Sequence, residues 1–160
     1  MSGFRRGTRI GIDVGKARVG VSRCDPDGML AVPVETVPRS ESSIERILQI
    51  VAEWEPFEIV VGLPVNMRGN DTPSTADARE FAEELQRRSG IGIRMVDERL
   101  STVSAHTALR ASGRSQKKSR SIVDQVAAVV LLQHAVDTEK STGRPAGALI
   151  TPVQEPPRDV

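Results

Sequence analysis

Carboxylates stand at three places in this sequence where a charge is unusual. Asp13 lies inside an apolar run at 9–14, the pair Asp97 and Glu98 ends another such run, and Asp124 lies among apolar and small residues. A charge in such a setting is unfavourable unless it is paired, hydrogen-bonded or bound to a metal. Three such groups at one site would repel one another unless cations lay between them. Oxygen ligands of this kind favour Mg²⁺ or Mn²⁺, and a pair of these ions suits phosphodiester hydrolysis by an activated water.

The elements that carry these groups must converge for such a site to form. We expect a hairpin of two short strands around the turn at 15–18, with Asp13 near the end of the first strand. The run that ends at Asp97 is the fifth predicted strand. If the two strands are parallel, their carboxyl ends meet at one edge of the sheet, where sites form in such folds. Because side chains alternate, only one of Asp97 and Glu98 can share the face of Asp13.

The rest of the pattern predicts an α/β fold with a mixed five-stranded sheet, helices on both faces and the order βββαβαβαα. A third strand at 29–37 contains Pro33, which favours an edge or bulged position. A fourth, buried strand is expected at 58–64, and helices are expected at 40–54, 73–89, 101–113 and 121–139. The loop that holds Asn66 and Gly69 is expected to serve as a connection. We predict one domain over 1–140 and a Pro/Gly-containing tail at 141–160.

Composition limits the classes of protein that fit. The chain has 160 residues, a net charge of +1 and one cysteine, Cys24. The low net charge means that any nucleic-acid contact must be a local patch. Cys24 is expected to be a small, half-buried strand residue in a protein of the reducing cytosol. The start of the chain lacks the apolar stretch of a signal peptide, and the apolar run at 126–132 is too short to span a membrane. Aromatic residues make up 2%, which argues against a base-stacking surface.

The last predicted helix combines an acidic position with a neighbouring basic run. Asp124 falls on one helical stripe with Ala127, Ala128 and Leu131, and this stripe should face the sheet. The run at 114–120 directly precedes the helix and holds no acidic residue. We expect it to be a loop whose cations contact the phosphate backbone of a nucleic acid. The predicted contacts are Arg114, Lys117, Lys118 and Arg120, with Arg18 and Arg99 as weaker candidates.

Four blocks of sequence carry a family resemblance. GIDVGKARVGVS, IVVGLPVNMRG, VDERLST and VDQVAAVVLLQ occur in this order between Arg9 and Leu132 and resemble the RuvX/YqgF family. The resemblance implies an RNase H-like fold related to the Holliday-junction resolvase RuvC. It places the family's acidic positions on Asp13, Glu98 and Asp124, and so selects Glu98 over Asp97. It implies a nuclease that either matures the 5′ end of precursor 16S rRNA or resolves Holliday junctions. With Mg²⁺ or Mn²⁺ at the carboxylates, we expect precursor rRNA as the substrate and branched DNA as the alternative, because a two-fold symmetric junction calls for two sites in a symmetric dimer.

Each acidic residue also has a simpler interpretation. Asp13 could hydrogen-bond backbone amides of its own hairpin, and Asp97 with Glu98 could be a solvated strand end. Asp124 follows Ser121 at the spacing of a helix cap and would there favour the helix dipole.

Two other function classes compete with a nuclease. Asp-Val-Gly after a strand resembles a phosphate motif of the actin and sugar-kinase superfamily, but 160 residues leave no room for the second half that such proteins need. A non-catalytic, nucleic-acid-binding ribosome-assembly factor is the other alternative. For the nuclease, we expect a monomer or a weak homodimer, because no apolar surface helix is left over for a large interface.

Overall fold

Six strands form one mixed sheet in the computed structural model, which describes residues 4–97 and 116–150, with side chains described at 4–97 and 126–150. The strands are β1 (Arg9–Val14), β2 (Arg18–Cys24), β3 (Ala31–Pro38), β4 (Glu58–Leu63), β5 (Ile93–Asp97) and β6 (Ala148–Leu149). Their order in the sheet is β3-β2-β1-β4-β5-β6. The helices are α1 (Ser43–Trp54), α2 (Pro73–Ser89) and α3 (Gln116–Thr142).

Strands β1, β4 and β5 run parallel, whereas β2, β3 and β6 run antiparallel to their neighbours. The expected parallel arrangement of the first and fifth strands is therefore confirmed. The carboxyl ends of β1, β4 and β5 lie at one edge, which we call the carboxyl edge.

Two apolar layers cover the sheet. Helices α1 and α2 pack on one side, the α1/α2 face, over residues such as Ile10, Ile12 and Val61. Helix α3 packs on the other side, the α3 face, over residues such as Val60 and Val96. Because strand side chains alternate, each strand contributes to both layers. Helices on both faces agree with the prediction.

The sheet has one strand more than the sequence predicted. Strand β6 lies in the expected tail, where its two residues pair with Arg94 and Met95 of β5. A strand of two residues has no detectable periodicity, and its conformation is set by its pairing with β5. Gly147 precedes it at φ 73°, in a left-handed conformation, and a Cβ atom there would collide with the carbonyl oxygen of Met95. Glycine therefore permits this close approach.

Helix α3 begins five residues earlier than predicted. The segment after Gln116 was expected to be a basic loop as far as Arg120, and this prediction is wrong because those residues are helical. Gln, Lys and Arg are good helix formers, and a cluster of like charges does not by itself end a helix. Ser121 is therefore not a helix cap. Asp124 lies eight residues beyond Gln116, more than two turns inside the helix, where the terminal dipole has little effect.

Other local predictions are confirmed. Strand β3 is an edge strand, and its pairing with β2 shifts between Val21 and Ser22. Helix α2 follows Thr72, has Pro73 in its first turn and ends at Gly90 in the left-handed conformation. Cys24 is a free thiol that is 1% exposed, more buried than expected, and this burial raises its pKa. The helix expected at 101–113 lies outside the described residues. In the described part of the chain, no helix has both the length and the apolar character needed to cross a bilayer.

Candidate functional site

Asp13 lies on the α3 face of β1, near the carboxyl edge. Its strand neighbours Ile12 and Val14 belong to the opposite layer. Gly11, two residues earlier, faces α3, because a Cβ atom there would lie 2.8 Å from Leu132 Cβ. Alternation along the strand therefore puts the half-buried Asp13 on the same side as Gly11. An acidic residue thus stands beneath the helix that carries Asp124.

Glycines flank Asp13 on both neighbouring strands. Gly20 of β2 is its direct partner in the antiparallel register. Ile12 pairs with Val61 of β4, and continuing this parallel register by one residue puts Asp13 beside Gly62. Neither glycine places a side chain over the carboxylate. These glycines were not among the predicted site residues, although a lone glycine inside a strand is a signal of close approach by a ligand or another backbone.

Small residues bring α3 close to the sheet. The hydroxyl of Ser22 donates a hydrogen bond to the carbonyl oxygen of Ala128, with 2.8 Å between the oxygens. The same carbonyl oxygen would lie 3.1 Å from a Cβ atom on Gly11. Farther along, Glu139 of α3 meets Arg9 of β1 at 2.8 Å. Residue numbers therefore fall along α3 as they rise along β1, and the helix runs antiparallel to the strand.

This antiparallel course brings the backbone of Asp124 to the level of Asp13. From Gly11 to Asp13 the strand advances by about 6.8 Å. From Ala128 back to Asp124 the helix advances by about 6 Å. Since Gly11 and Ala128 are in contact, the next step along each element reaches the two acidic residues together. The sequence-predicted stripe over Ala127, Ala128 and Leu131 does face the sheet, because all three are buried.

Asp97, the last residue of β5, does not lie on the α3 face. Met95 belongs to the α1/α2 layer, and Val96 belongs to the α3 layer. Asp97, two residues after Met95, therefore lies on the α1/α2 side, where it is exposed. Glu98, together with Arg99 and Arg114, falls outside the described residues. Within the described part of the chain, no three His, Cys, Asp or Glu side chains form a metal-binding cluster.

Basic residues predicted to bind nucleic acid occur around the same edge. Arg18 opens β2 on the α3 face, diagonal to Asp13 across the strand pair, and is half-buried. Long side chains can reach such diagonal neighbours. The cations Lys117, Lys118 and Arg120 belong to the first turns of α3, nearer its start than Asp124. Helix α3 therefore carries its basic run toward the carboxyl edge.

A surface cavity of about 380 Å³ opens at the same edge but on the α1/α2 side. Its lining residues are Lys16, Arg39, Pro73, Ser74 and Asp77. The two guanidinium nitrogens of Arg39 donate to the two carboxylate oxygens of Asp77 at 2.9 and 2.7 Å. These hydrogen bonds lower the pKa of Asp77. This pair neutralises two of the three charged side chains that line the cavity, and Lys16 is the third. The cavity belongs to a different face from Asp13.

At the opposite edge, an ion network holds buried acidic residues. Arg5 bonds both Glu58 and Glu139, at 2.9 and 2.7 Å, and Arg94 also bonds Glu58 at 3.0 Å. Arg9, only 2% exposed, bonds Glu139. Burial alone would raise the pKa of Glu139, but the hydrogen bonds from Arg5 and the charge of Arg9 hold it below its ordinary value. These carboxylates have arginine partners and so act in stability.

Comparison with known families tests the resemblance carried by the four sequence blocks. The family described as "RuvX: Holliday junction resolvase" matches residues 7–138. The chain belongs to the RuvX family. The matched range holds all three acidic residues of the predicted site and the whole of β1 to β5.

Relatives of this RuvX chain are similar over nearly their full length. A Clavibacter sepedonicus protein is 53% identical over 150 residues, which cover 92% of this chain and 93% of the relative. A Streptomyces coelicolor protein is 51% identical over 147 residues, which cover 90% and 88%. Both are named "Putative pre-16S rRNA nuclease".

Solved structures support the fold of this RuvX protein. Thermus thermophilus RuvC in complex with a Holliday junction substrate matches with a TM-score of 0.55 and 18% identity, covering 86% of this chain and 98% of that one. A second RuvC structure from the same organism gives a TM-score of 0.54. The RNase H-like fold predicted from sequence is therefore confirmed.

Proposed function

We propose that this chain is a cytosolic, divalent-metal-dependent endonuclease that hydrolyses phosphodiester bonds in structured nucleic acid, with the 5′ end of precursor 16S rRNA as its substrate. One observation carries the proposal. The half-buried Asp13 lies at the carboxyl edge, with glycines on both sides and the backbone of Asp124 at its level. The names of the relatives point to the same activity and supply the substrate.

The proposed acidic set is Asp13, Glu98 and Asp124. The family resemblance assigns Glu98, and the exposed Asp97 lies on the α1/α2 side of β5, away from Asp13. Strands β1 and β5 flank β4, so their backbones are about 10 Å apart, on either side of Gly62. A set of three carboxylates supplies the hard oxygen ligands that Mg²⁺ or Mn²⁺ requires. Two such ions, when bound, would polarise the scissile phosphate and lower the pKa of the attacking water.

The chain's own residues hold and orient the substrate in this proposal. Asp13 is fixed by a central strand and Asp124 by a long helix, and rigid elements of this kind set a geometry more closely than loops do. Arg18 faces the same side of the sheet and would contact a phosphate oxygen. The basic run Lys117, Lys118 and Arg120 on α3, with Arg99 and Arg114, would hold the flanking backbone without reading sequence.

The preference for precursor rRNA over a four-way junction rests on symmetry. A junction has two-fold symmetry, so resolving it calls for two active sites in a symmetric dimer. Processing one end of an RNA needs a single site. We therefore propose a monomer or a weak dimer.

Cleavage of two labelled substrates tests this function. Purified protein with Mg²⁺ or Mn²⁺ should cut a precursor RNA that spans the 5′ end of 16S rRNA, and chelation should stop the reaction. Asp13→Asn and Glu98→Gln should abolish cleavage. The matched control Asp97→Asn removes the neighbouring charge on the opposite face and should cut at close to the wild-type rate.

Two results would replace the proposal with an alternative. Paired, symmetric nicks in a four-way DNA junction, made by a stable dimer in sedimentation, would identify a resolvase. Binding of RNA by wild-type protein with no cleavage of either substrate would identify a non-catalytic assembly factor.

A further inference from the structure

The loop between β4 and α2 is an ordered turn with an apolar side chain at its tip. The backbone N–H of Asn66 donates to the carbonyl oxygen of Asn70 at 3.0 Å. The Oδ1 atom of Asn66 accepts from the backbone N–H groups of Arg68 and Asn70, at 3.0 and 2.9 Å. Gly69 adopts φ 82°, the left-handed conformation that closes the turn. These bonds hold Met67 at the tip.

Both legs of the loop are tied to the body of the protein. Val65 and Asp71 form an antiparallel bridge across its base. Asp71 also pairs with Arg79 of α2 at 2.7 Å. The hydroxyl of Thr75 donates a hydrogen bond to the carbonyl oxygen of Pro64, directly after β4. The position of the tip relative to the sheet is therefore set by bonds at both ends.

Met67 is exposed at the edge where the proposed site lies. Its side chain is 84% exposed, and Arg68 is beside it. The loop leaves the carboxyl end of β4, which runs between β1 and β5. In the described ranges 4–97 and 126–150, the other exposed large apolar side chains lie toward the opposite edge: Met29, Leu30, Phe57 and Leu149. A single exposed methionine is ordinary, but this one stands on a hydrogen-bonded turn at the edge where the proposed site lies.

We propose that Met67 is a wedge that inserts between two neighbouring bases of the substrate at the cleavage step, while Arg68 contacts the adjacent phosphate. The inference rests on the proposed nuclease function and deepens it. Methionine is among the apolar side chains that separate stacked bases. Unstacking is easiest where a base is unpaired or mismatched. The preferred substrate is therefore a nucleic acid whose helix is interrupted at the cleavage step, such as a duplex that ends in a single strand, and not a continuous duplex.

A fluorescent base analogue measures the wedge without relying on cleavage. The probe is a labelled precursor RNA with 2-aminopurine beside the cleavage position, because the fluorescence of this analogue rises when it loses stacking. Binding to the Asp13→Asn protein should raise the signal, and Asp13→Asn/Met67→Ala should lose the rise. Met67→Leu should restore it, because leucine also offers an apolar wedge. The matched control Met29→Ala removes a methionine that is 73% exposed at the opposite edge and should leave the signal unchanged.

Cleavage kinetics give the second readout. Met67→Ala should lower the ratio of kcat/KM for an interrupted helix over a continuous duplex by about fivefold or more, since one base contact of this kind is being lost. Its melting temperature should match that of wild type, because the side chain is exposed. If wild type cleaves and Met67→Ala keeps both the fluorescence rise and the discrimination, the wedge is refuted and the nuclease stands. If wild type neither binds nor cleaves the RNA, the proposed function fails, and the wedge fails with it.

Discussion

Gly11 is where α3 comes closest to the sheet, and an added methyl group there should force the two apart. In Gly11→Ala the new Cβ atom would lie 2.6 Å from Ser22 Oγ, 2.8 Å from Leu132 Cβ and 3.1 Å from the Ala128 carbonyl oxygen. Carbon atoms normally approach to about 3.5–4.0 Å. A Cβ atom cannot move away by rotating its side chain, so α3 itself must shift by roughly 0.7–1.2 Å.

The size of the effect follows from these contacts. Overpacking of this kind costs about 1–3 kcal/mol. Loss of the hydrogen bond from Ser22 to Ala128 would add about 1 kcal/mol, and the smaller entropy of the unfolded chain returns about 0.4–1 kcal/mol. We expect a net loss of about 1–3.6 kcal/mol, which lowers the Tm by about 2–14 °C in a chain of this length. Cleavage should fall by about 100-fold, because a displacement near 1 Å at a reacting centre has this effect.

Gly92→Ala is the matched control, because its added Cβ atom would lie 3.6 Å from Leu149 Cδ1, an ordinary contact. The assay compares thermal melts and single-turnover cleavage at a temperature where wild type and both variants are folded. Gly92→Ala should match wild type in both measurements. If Gly11→Ala has the same Tm and the same cleavage rate as Gly92→Ala, the position of α3 does not depend on its close contact with Gly11. That result would refute the alignment of Asp13 with Asp124.

Three further predictions follow from the helix and its partners. Asp124→Asn should leave the stability of metal-free protein equal to that of wild type or higher, because the residue does not cap the helix. In this variant Mn²⁺ should no longer raise the Tm, and cleavage should be lost. Cleavage at near the wild-type rate would remove Asp124 from the site. Replacing Lys117 and Lys118 with Ala should weaken binding equally for all sequences and reduce the slope of log K against log salt by roughly one to two units, and an unchanged slope would contradict phosphate contact. Glu139 has a lowered pKa in the folded state, so its stabilisation is present above the ordinary value of 4.5 and is lost as pH falls through the lowered value. In melts across pH, Glu139→Gln should destabilise the protein at pH 7 by roughly 3–5 kcal/mol and flatten the acid side of the profile, whereas a profile parallel to that of wild type would contradict the linkage.

The sequence predicted those helices and strands whose signal lies within the element itself. The hairpin around 15–18, the apolar stripe of α1 and the continuous apolar run of β4 each carry a signal within a few residues. Strand β6 has no such signal, because its pairing with Met95 is a tertiary contact. The start of α3 differs from the prediction because the Lys and Arg residues after Gln116 are good helix formers, and their like charges do not end the helix.

The site was predictable in its acidic residues but not in the space around them. Asp13 was conspicuous as a charge inside an apolar strand, and Glu98 over Asp97 came from the family resemblance. Gly20 and Gly62 could not be predicted as part of the site, because only the register of three strands shows that they flank one carboxylate. The cap interpretation of Asp124 failed for a similar reason, since it required a helix start that the chain does not use.

Helix α3 is held near one end and extends beyond the sheet at the other. Its far end is fixed at Glu139 by Arg5 and Arg9, and its middle rests on Gly11. Its 27 residues span about 40 Å, whereas a strand of six residues spans only about 20 Å. The eight residues before Asp124 therefore overhang the level of Asp13 by about 12 Å. A small tilt of the helix at Glu139 would therefore move the residues before Asp124 by a larger distance. The side chains that hold Glu139, far from the carboxyl edge, thus set how far the basic residues at the start of α3 lie from the sheet.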